Sequence, residues 1–386
     1  MRILIFEYYS AGGATGRDKR ENLLLEGFSM LNAVLSDFAR IPGLEILTVL
    51  DSRLQPLVAR ACYAGRVHAV VTDENPGGQV ELQPGPGEDG GSHLDREQWQ
   101  GAFAEALEQC AGALVIAPET GGLLARLTAQ VEGQGKIVLG SAAAAVAMAG
   151  DKAQTLLLFQ EAGLLTPHSE VFSSLLPAEL TSRLADRFPV PAVVKPVDGA
   201  GSQGITLVRD RRHWESALKR VAATSDHPSF LVQEYVVGEP VSVSCLVVPP
   251  HYEERPGAGR QPGAGTVLPL TLNRQIISAD NLDFLGVTVP YPHQQAQLAL
   301  DTARQACEVI PGLAGYVGVD MVLSPIGPVI MEVNPRVTVA YVALREVVNV
   351  NLAQYILEAC LKHHLPPLPQ ITGQFTYQVS EGKNIA

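Results

Sequence analysis

The first third of the chain alternates short apolar runs with segments of helical periodicity. The apolar runs are RILIFEYY, LEILTVLD, VHAVVT, GALVIAP and KIVLGS, and NLLLEGFSMLNAVLSDFAR separates the first two. Short buried strands that alternate with helices are typical of a parallel sheet covered by helices. The pattern therefore predicts an α/β domain in residues 1–145.

The pattern changes from GDKAQTLLLFQEAGLLTP onward. Asp151 is a good N-cap for this segment and Gly163 a good stop, so a helix is predicted between them. The strand-like runs PAVVKPV, GITLV, FLVQEYV and VSVSCLVV follow, then a helix from about Pro292 to Val309 and one closing helix in AYVALREVVNVNLAQYILEACLKH. This order predicts an α+β fold with antiparallel sheets. Two Gly- and Pro-rich stretches, residues 75–93 and 249–265, are predicted surface insertions.

Two neighbouring apolar runs, GYVGVDMVL and VIMEVNPR, each contain one acid. The linker SPIGP has turn composition, and a hairpin centred on Ile326 would place Asp320 directly opposite Glu332. Alternation places Glu332 and Asn334 on one face of the second strand, and the other face receives Val329, Met331 and Val333. Two bare carboxylates would repel each other, so a cation is expected between them. Carboxylate and amide oxygens suit Mg²⁺, with Mn²⁺ as a second choice, and an ordinary arginine partner is the alternative.

Composition narrows the classes of function. A chain of 386 residues with 46% hydrophobic content predicts two or three globular domains. A net charge of -12 argues against nucleic-acid binding. The five cysteines are scattered without metal spacing, and no signal peptide or membrane-spanning run is recognisable. A reduced, cytoplasmic protein without membrane contact is expected.

The stretch VVKPVDGAGSQGITLV holds Gly199, Gly201 and Gly204 in a formal GxGxxG match. The β-branched run ITLV follows where a dinucleotide-binding fold needs a helix, and the ending of a P-loop is missing. A protein kinase is disfavoured because HRD and DFG elements are absent from the sequence. We predict a hairpin tip whose backbone N–H groups approach phosphates, assisted by the Ser202 hydroxyl and the Lys195 ammonium. An ordinary glycine-rich turn beside a solvated lysine is the alternative.

The next run, FLVQEYVVGEPVSVS, combines apolar residues with a strand end, as an adenine site requires. Glu234 and Glu239 are the candidate acids for the ribose hydroxyls, and the alternative for each is an exposed loop charge.

Taken in order, Lys152 at a helix start, Lys195 before a glycine hairpin, QEYVVGEP, Asp320 and MEVNPR resemble the ATP-grasp superfamily of carboxylate–amine ligases. The resemblance covers residues from about 145 to 360. It implies that ATP lies between two α+β lobes. The implied division is a pre-ATP-grasp substrate domain, a small lobe with the glycine loop, a large lobe with the metal site and a tail, at residues 1–145, 146–240, 241–365 and 366–386.

The resemblance also implies roles for individual residues. Lys152 and Lys195 would contact the ATP phosphates, and Glu239 would bind the ribose. Mg²⁺ would be held by Asp320, Glu332 and Asn334. The segment that borders the adenine would be formed by Gln233, Glu234, Tyr235 and Val236.

One departure concerns the cation that faces the acyl phosphate. Many amino-acid ligases of this superfamily carry an arginine two residues before the metal aspartate, where this chain has Gly318. The cation must then come from Arg274 or Arg336, the latter meeting the γ-phosphate or the acyl phosphate. The stretches LIFEYYSAGGATG, EGFSML and NPRVTVAYVALR are similar to a narrower branch, the tyramine–L-glutamate ligases of methanofuran biosynthesis and their bacterial relatives.

The function expected from this resemblance is ATP-dependent amide formation between two small molecules, a carboxylate such as glutamate and an amine such as tyramine. The alternatives are a small-molecule kinase on the same fold and a nucleotide-binding protein without turnover, and a homodimer is left open. A helix N-terminus favours anions, so an acidic amino acid is expected at Thr338, Tyr341 and Arg345. Glu7 and Tyr8, at the end of the first strand, are expected to receive the cationic amine.

Overall fold

The computed structural model describes residues 1–13, 21–61, 63–72, 95–173, 184, 186–199, 204–224, 227, 229–250, 265–280 and 282–379. The predicted insertion at residues 75–93 and most of the one at residues 249–265 lie outside these ranges.

The first sheet has five parallel strands in the order β3-β2-β1-β4-β5. They are β1 (Arg2–Glu7), β2 (Glu45–Leu50), β3 (Val67–Val71), β4 (Gly112–Ile116) and β5 (Ile137–Val138). Helices accompany them at α1 (Glu21–Phe38), α2 (Gln55–Arg60), α3 (Asp95–Glu108), α4 (Leu123–Gly133) and α5 (Ala143–Gly150). The predicted α/β domain is confirmed. Because the strand order reverses at β1, the carboxyl end of β1 is where such sheets bind ligands.

The second sheet has four antiparallel strands in the order β6-β9-β7-β8. They are β6 (Ser169–Ser173), β7 (Ala192–Pro196), β8 (Thr206–Val208) and β9 (Ser229–Glu234), and they follow helix α6 (Lys152–Glu161). Helix α7 (Trp214–Thr224) buries Trp214 in a core with Val194 and Val232.

The third sheet has six strands in the order β14-β13-β10-β11-β12-β15, with antiparallel pairing throughout. They are β10 (Glu239–Val248), β11 (Thr266–Ile277), β12 (Phe284–Val289), β13 (Gly315–Ser324), β14 (Gly327–Asn334) and β15 (Phe375–Gln378). Helix α8 (Ala296–Glu308) packs on its inner face and corresponds to the helix predicted near Pro292 to Val309.

The closing helix predicted as one unit is two helices, α9 (Ala340–Val347) and α10 (Leu352–Lys362). Val348 is extended, and the Asn351 side chain then accepts hydrogen bonds from the backbone N–H groups of Ala353 and Gln354. A side-chain cap of this kind starts a new helix, which is why the continuous apolar pattern was misleading.

The hairpin predicted around Ile326 is confirmed, with Asp320 paired with Glu332 across β13 and β14. A bulge follows, so that Met321 pairs with Ile330. The predicted faces are therefore wrong for Met331: it lines a cavity beside Glu332, whereas Ile330 and Val333 enter the core.

The first sheet and the C-terminal helices share one hydrophobic core. Ile3 and Leu35 lie in the same cluster as Tyr341 and Ile356. This packing fixes the end of β1 against the segment that follows β14. In the part of the chain that the structure describes, no helix has the length and apolarity to cross a bilayer.

Candidate active site

A cavity of about 630 Å³ lies where the three sheets meet. Each sheet supplies at least one charged side chain to its wall, represented by Glu7, Lys195 and Asp320. The arrangement brings residues from both ends of the chain to one place.

The carboxylates of Asp320 and Glu332 line the cavity on neighbouring strands. The amide nitrogens of Gln275 and Asn334 donate to the two oxygens of Asp320, each at 3.0 Å. Burial, followed by the nearby Glu332 carboxylate, raises the pKa of Asp320 to about 7. Negative charge at this point is therefore costly until a cation balances it.

Two lysines face this pair of acids. Lys152 Nζ lies 2.9 Å from Glu332 Oε2 and also donates to the Gly199 carbonyl. Lys195, on β7, is 5% exposed, and burial followed by the Lys152 charge lowers its pKa to about 8. Although burial opposes it, the charges of Lys152 and Lys195 lower the pKa of Glu332.

The donor set fits Mg²⁺. Among the described residues no group of three or more His, Cys, Asp or Glu side chains could hold a metal, so any ion here would depend on the two acids and Asn334. An ion held by so few protein ligands completes its shell with water and phosphate oxygens, as Mg²⁺ does.

The glycine loop joins two strands, as predicted. β7 and β8 pair antiparallel, with Ala192 opposite Val208, so no helix follows the loop. Gly199 lines the cavity, and Gly204 has φ +71°, where glycine is favoured. Gly201 and Ser202 lie outside the described residues.

The far wall of the cavity contains Gln233, Glu234, Tyr235 and Val236. Gln233 is fully buried, its amide nitrogen donates to Ser169 Oγ at 2.9 Å, and its oxygen has no partner within the described structure. A buried oxygen without a partner suits a ligand that brings an N–H group. Glu234 accepts a hydrogen bond from the His168 backbone N–H at 2.9 Å, so its carboxylate is partly engaged.

Glu239 does not line the cavity, contrary to its predicted contact with the ribose. Its carboxylate accepts a hydrogen bond from the Tyr291 hydroxyl and lies 3.8 Å from His293 Nε2. The reason is strand alternation, since Pro240 and Ser242 take the cavity face of β10.

Comparison with known proteins agrees with this geometry. The ATP-grasp domain family matches residues 149–252 and 262–340, and the pre ATP-grasp 3 domain family matches residues 92–146. The chain contains an ATP-grasp domain. The cavity is therefore called the ATP-grasp site below.

Similar proteins include two curated ligases and a biotin carboxylase of known structure. A tyramine–L-glutamate ligase from Methanocaldococcus jannaschii is 30% identical over 64% of this chain and 61% of its own length. A D-alanine–D-alanine ligase from Gloeobacter violaceus is 26% identical over 50% of this chain, again across 61% of the relative. Biotin carboxylase from Campylobacter jejuni, solved with β-γ-ATP, has a TM-score of 0.67 at 15% identity, covering 97% of this chain and 74% of that one.

Of the two arginines predicted to face the acyl phosphate, only Arg336 lines the ATP-grasp site. Its guanidinium binds both oxygens of Glu119, at 2.9 and 3.2 Å. Arg274 lies on the opposite face of β11 from Gln275 and stacks over the Tyr291 ring, 5.6 Å from its centroid. The Arg274 expectation was therefore wrong in its geometry.

The three residues predicted to bind an acidic amino acid do not lie together. Thr338 lines the ATP-grasp site, and a Cβ at Gly318 would lie 2.7 Å from its Cγ2. Tyr341 and Arg345 instead point to α1: the Tyr341 hydroxyl donates to Asp37 at 2.9 Å, and Arg345 binds the same carboxylate. One turn of α9 separates the two side chains, so they share the face that is packed away from the site.

Of the two residues predicted to receive an amine, Glu7 lines the ATP-grasp site and Tyr8 does not. The Tyr8 ring packs against Trp99, with 5.2 Å between centroids, and Tyr9 faces the site in its place. The prediction rested on position at the end of β1 alone. Successive side chains alternate there, so Tyr8 points away from the face that Glu7 and Tyr9 share.

Sequence reasoning missed Glu26, Glu119 and Gln275. Glu119 follows β4 as Glu7 ends β1, so the rule that ligands bind at the carboxyl ends of parallel strands could have found it. Glu26 stands alone among apolar residues in LLLEGFSML, which is a usable signal for a buried acid. Gln275 has no comparable signal, because its contact with Asp320 reaches from β11 across β10 to β13, and only the strand order of the sheet shows this.

Proposed function

We propose that this protein is an ADP-forming ligase that joins a carboxylate, L-glutamate, to a primary amine of the tyramine type through an acyl phosphate. The observation that carries the proposal is the Asp320–Glu332 pair facing Lys152 and Lys195 in the same cavity as the glycine loop. The ATP-grasp match supports ATP as the phosphate donor.

The charged residues at the centre of the cavity would have two different roles, the lysines binding phosphate and the acids binding Mg²⁺. Lys152 and Lys195 would lie along the phosphates, where two ammonium groups offset negative charge on the transferring group. Asp320, Glu332 and Asn334 would hold Mg²⁺, which when bound adds positive charge beside the phosphate oxygens. The buried Gln233 oxygen would accept an N–H of the adenine.

The reaction proceeds in two displacements. An oxygen of the substrate carboxylate attacks the γ-phosphorus of ATP, the bond to ADP breaks and an acyl phosphate forms. The neutral amine nitrogen then attacks the acyl carbon, and the bond from that carbon to the phosphate oxygen breaks. Phosphate leaves with the bonding electrons and takes one proton from the nitrogen, which keeps its remaining N–H in the amide. Arg336 and Thr338, beside the metal residues, are the groups that would face the acyl phosphate.

The choice of substrates rests on similarity and on charge. The M. jannaschii relative is a tyramine–L-glutamate ligase, and the buried Glu7 carboxylate supports a cationic second substrate. The alignment covers 61% of that relative, so the substrate pair is proposed from partial similarity.

The test measures ADP release across a matrix of amino acids and primary amines. We expect ADP release that requires one acid and one amine together, with glutamate and tyramine among the active pairs. ADP release with a hydroxyl compound alone, accompanied by a phosphate ester, would replace the ligase with a kinase.

A further inference from the structure

The ATP-grasp site continues past the metal residues to a second end between α1, the first sheet and β12. The walls of this end are largely apolar and include Leu23, Met30, Phe284 and Val287. The carboxylates of Glu7 and Glu26 line the same cavity. An apolar pocket with a few placed polar groups is the usual form of a small-molecule site.

Glu7 is held at this wall by the turn that follows β1. It is 1% exposed and accepts hydrogen bonds from the Tyr9 N–H at 3.1 Å, the Ser10 N–H at 2.7 Å and the Ser10 hydroxyl. A Cβ at Gly27 would lie 2.5 Å from Glu7 Oε2. The glycine therefore allows α1 to approach the carboxylate directly.

Glu26 precedes that glycine and has a different environment. Within the described residues, no hydrogen bond or ion pair reaches its carboxylate. Arg336 exerts a favourable charge effect on both Glu7 and Glu26, but its guanidinium is bound to Glu119. Burial raises the pKa of each of the two glutamates to about 7. Such a rise is expected when two acids lie in an apolar pocket and the one nearby cation, Arg336, is already paired with another carboxylate.

We propose that the ammonium group of the amine substrate binds between Glu7 and Glu26, with its apolar body against Leu23, Met30 and Phe284, and that Glu26 accepts its proton. The inference rests on the proposed ligase function. The ammonium N–H bond breaks, the proton goes to a Glu26 oxygen, and the nitrogen keeps the electron pair with which it attacks the acyl carbon. Glu7, already held by three donors, orients the ammonium group.

The chemistry of this end excludes other ligands. A carboxylate or phosphate would meet two like charges in a poorly solvated pocket. A divalent metal ion would need water or phosphate oxygens to complete its shell, and apolar walls do not hold the water it would need. A primary ammonium needs few acceptors and can carry an apolar body.

Hydroxylamine separates this inference from the ligase proposal. It is small and uncharged near neutral pH, so it can trap an acyl phosphate as a hydroxamate without an ammonium subsite. The assays use the full chain with ATP, Mg²⁺ and L-glutamate, and either hydroxylamine, tyramine or phenethylamine as nucleophile. The variants are Glu26→Gln, Glu26→Asp and, as a matched loss of an exposed acid on α3, Glu105→Gln.

We expect Glu26→Gln to form hydroxamate at the wild-type rate while kcat/KM for tyramine and phenethylamine falls by about tenfold or more, the size of one lost charged hydrogen bond. Glu26→Asp should recover part of this loss, and Glu105→Gln should match the wild type. Equal losses with hydroxylamine and the amines, or no loss in Glu26→Gln, would overturn the amine subsite while leaving the ligase proposal intact. Absence of both hydroxamate and amide in the wild type would overturn both proposals.

Discussion

Glu332 carries most of the charge balance in the centre of the site, because Lys152 bonds it directly and Lys195 acts on it. Glu332→Gln keeps the shape of the side chain but removes one charge from the proposed Mg²⁺ site. We predict an unchanged fold and loss of Mg²⁺-ATP turnover, measured by circular dichroism and ADP release. ADP production at the wild-type rate would reject the metal assignment.

Glu119 positions Arg336 through two hydrogen bonds, and both side chains are nearly buried. In Glu119→Gln the guanidinium loses its paired charge and its fixed orientation. We predict a fall in kcat of roughly tenfold to a hundredfold with little change in KM for ATP, corresponding to about 1.5–3 kcal/mol for a charged hydrogen bond. The kcat of Glu119→Asp should lie between the kcat of the wild type and that of Glu119→Gln. A rise in KM for ATP at constant kcat would contradict a positioning role.

Glu26 also links stability to pH. Burial raises its pKa from 4.5 to about 7, despite the charge of Arg336, and Glu7 and Tyr377 are its other titratable neighbours. A raised carboxyl pKa favours the folded state at low pH, and this contribution is lost as pH rises through 7. The full difference corresponds to roughly 3 kcal/mol.

We therefore predict that Glu26→Gln is more stable than the wild type at pH 8, and that this advantage shrinks by roughly 2–3 kcal/mol at pH 5. Urea denaturation at both pH values measures it. An advantage that does not depend on pH would show that Glu26 is not titrating in the folded protein.

Residue-level prediction worked where one turn sets the register. The SPIGP turn placed Asp320 opposite Glu332, because hairpin pairing follows directly from the turn. It did not work for Tyr8, Met331 and Glu239. A bulge shifted the alternation at Met331, and Tyr8 points away from the face that Glu7 and Tyr9 share. The face of β10 that meets the cavity depends on strands distant in sequence.

At the scale of elements, one carboxylate of α1, that of Asp37, holds α9 in place through hydrogen bonds. Asp37 is 3% exposed, and its carboxylate accepts hydrogen bonds from the Tyr341 hydroxyl and from two nitrogens of Arg345. Removing Arg345 would leave a buried carboxylate with fewer partners, which typically costs about 3–5 kcal/mol.

Arg345→Ala is therefore predicted to lower the free energy of unfolding by about 3 kcal/mol and to leave KM for the carboxylate substrate unchanged. Arg40→Ala is a matched control, because Arg40 lies 3.9 Å from Asp37 and is mostly exposed. A large rise in KM with normal stability would restore the substrate role once expected for Arg345.

The local sequence pattern predicted whether a segment is a helix or a strand, but it did not always predict where one element ends and the next begins. Apolar runs bounded by turns predicted β7, β8, β9, β10, β13 and β14, and the helical segment between β1 and β2 predicted α1. The strands β6, β11 and β12 were not predicted. The division between α9 and α10 was missed because Asn351 is an inconspicuous cap inside an apolar pattern. The contact between α1 and α9 joins residues more than 300 positions apart, so local periodicity carries no information about it.

For the whole molecule, the ATP-grasp site exists because the three sheets converge on one cavity. The order of motifs indicated which residues share the end of the cavity where we propose that ATP binds, since Lys152, Lys195, Asp320 and Glu332 line it together. The opposite end was predicted less well, because it is assembled by contacts between residues distant in sequence: Glu26 lines it from α1, and Glu119 binds Arg336.

The central claim is that one cavity activates a carboxylate and transfers it to an amine. The most direct measurement is mass spectrometry of the product formed from ATP, Mg²⁺, L-glutamate and tyramine, with isotope-labelled amine to trace the nitrogen. The account predicts a product whose mass is the sum of glutamate and tyramine less one water, with one ADP released per amide. ADP release accompanied by a phosphorylated substrate and no labelled amide would contradict it.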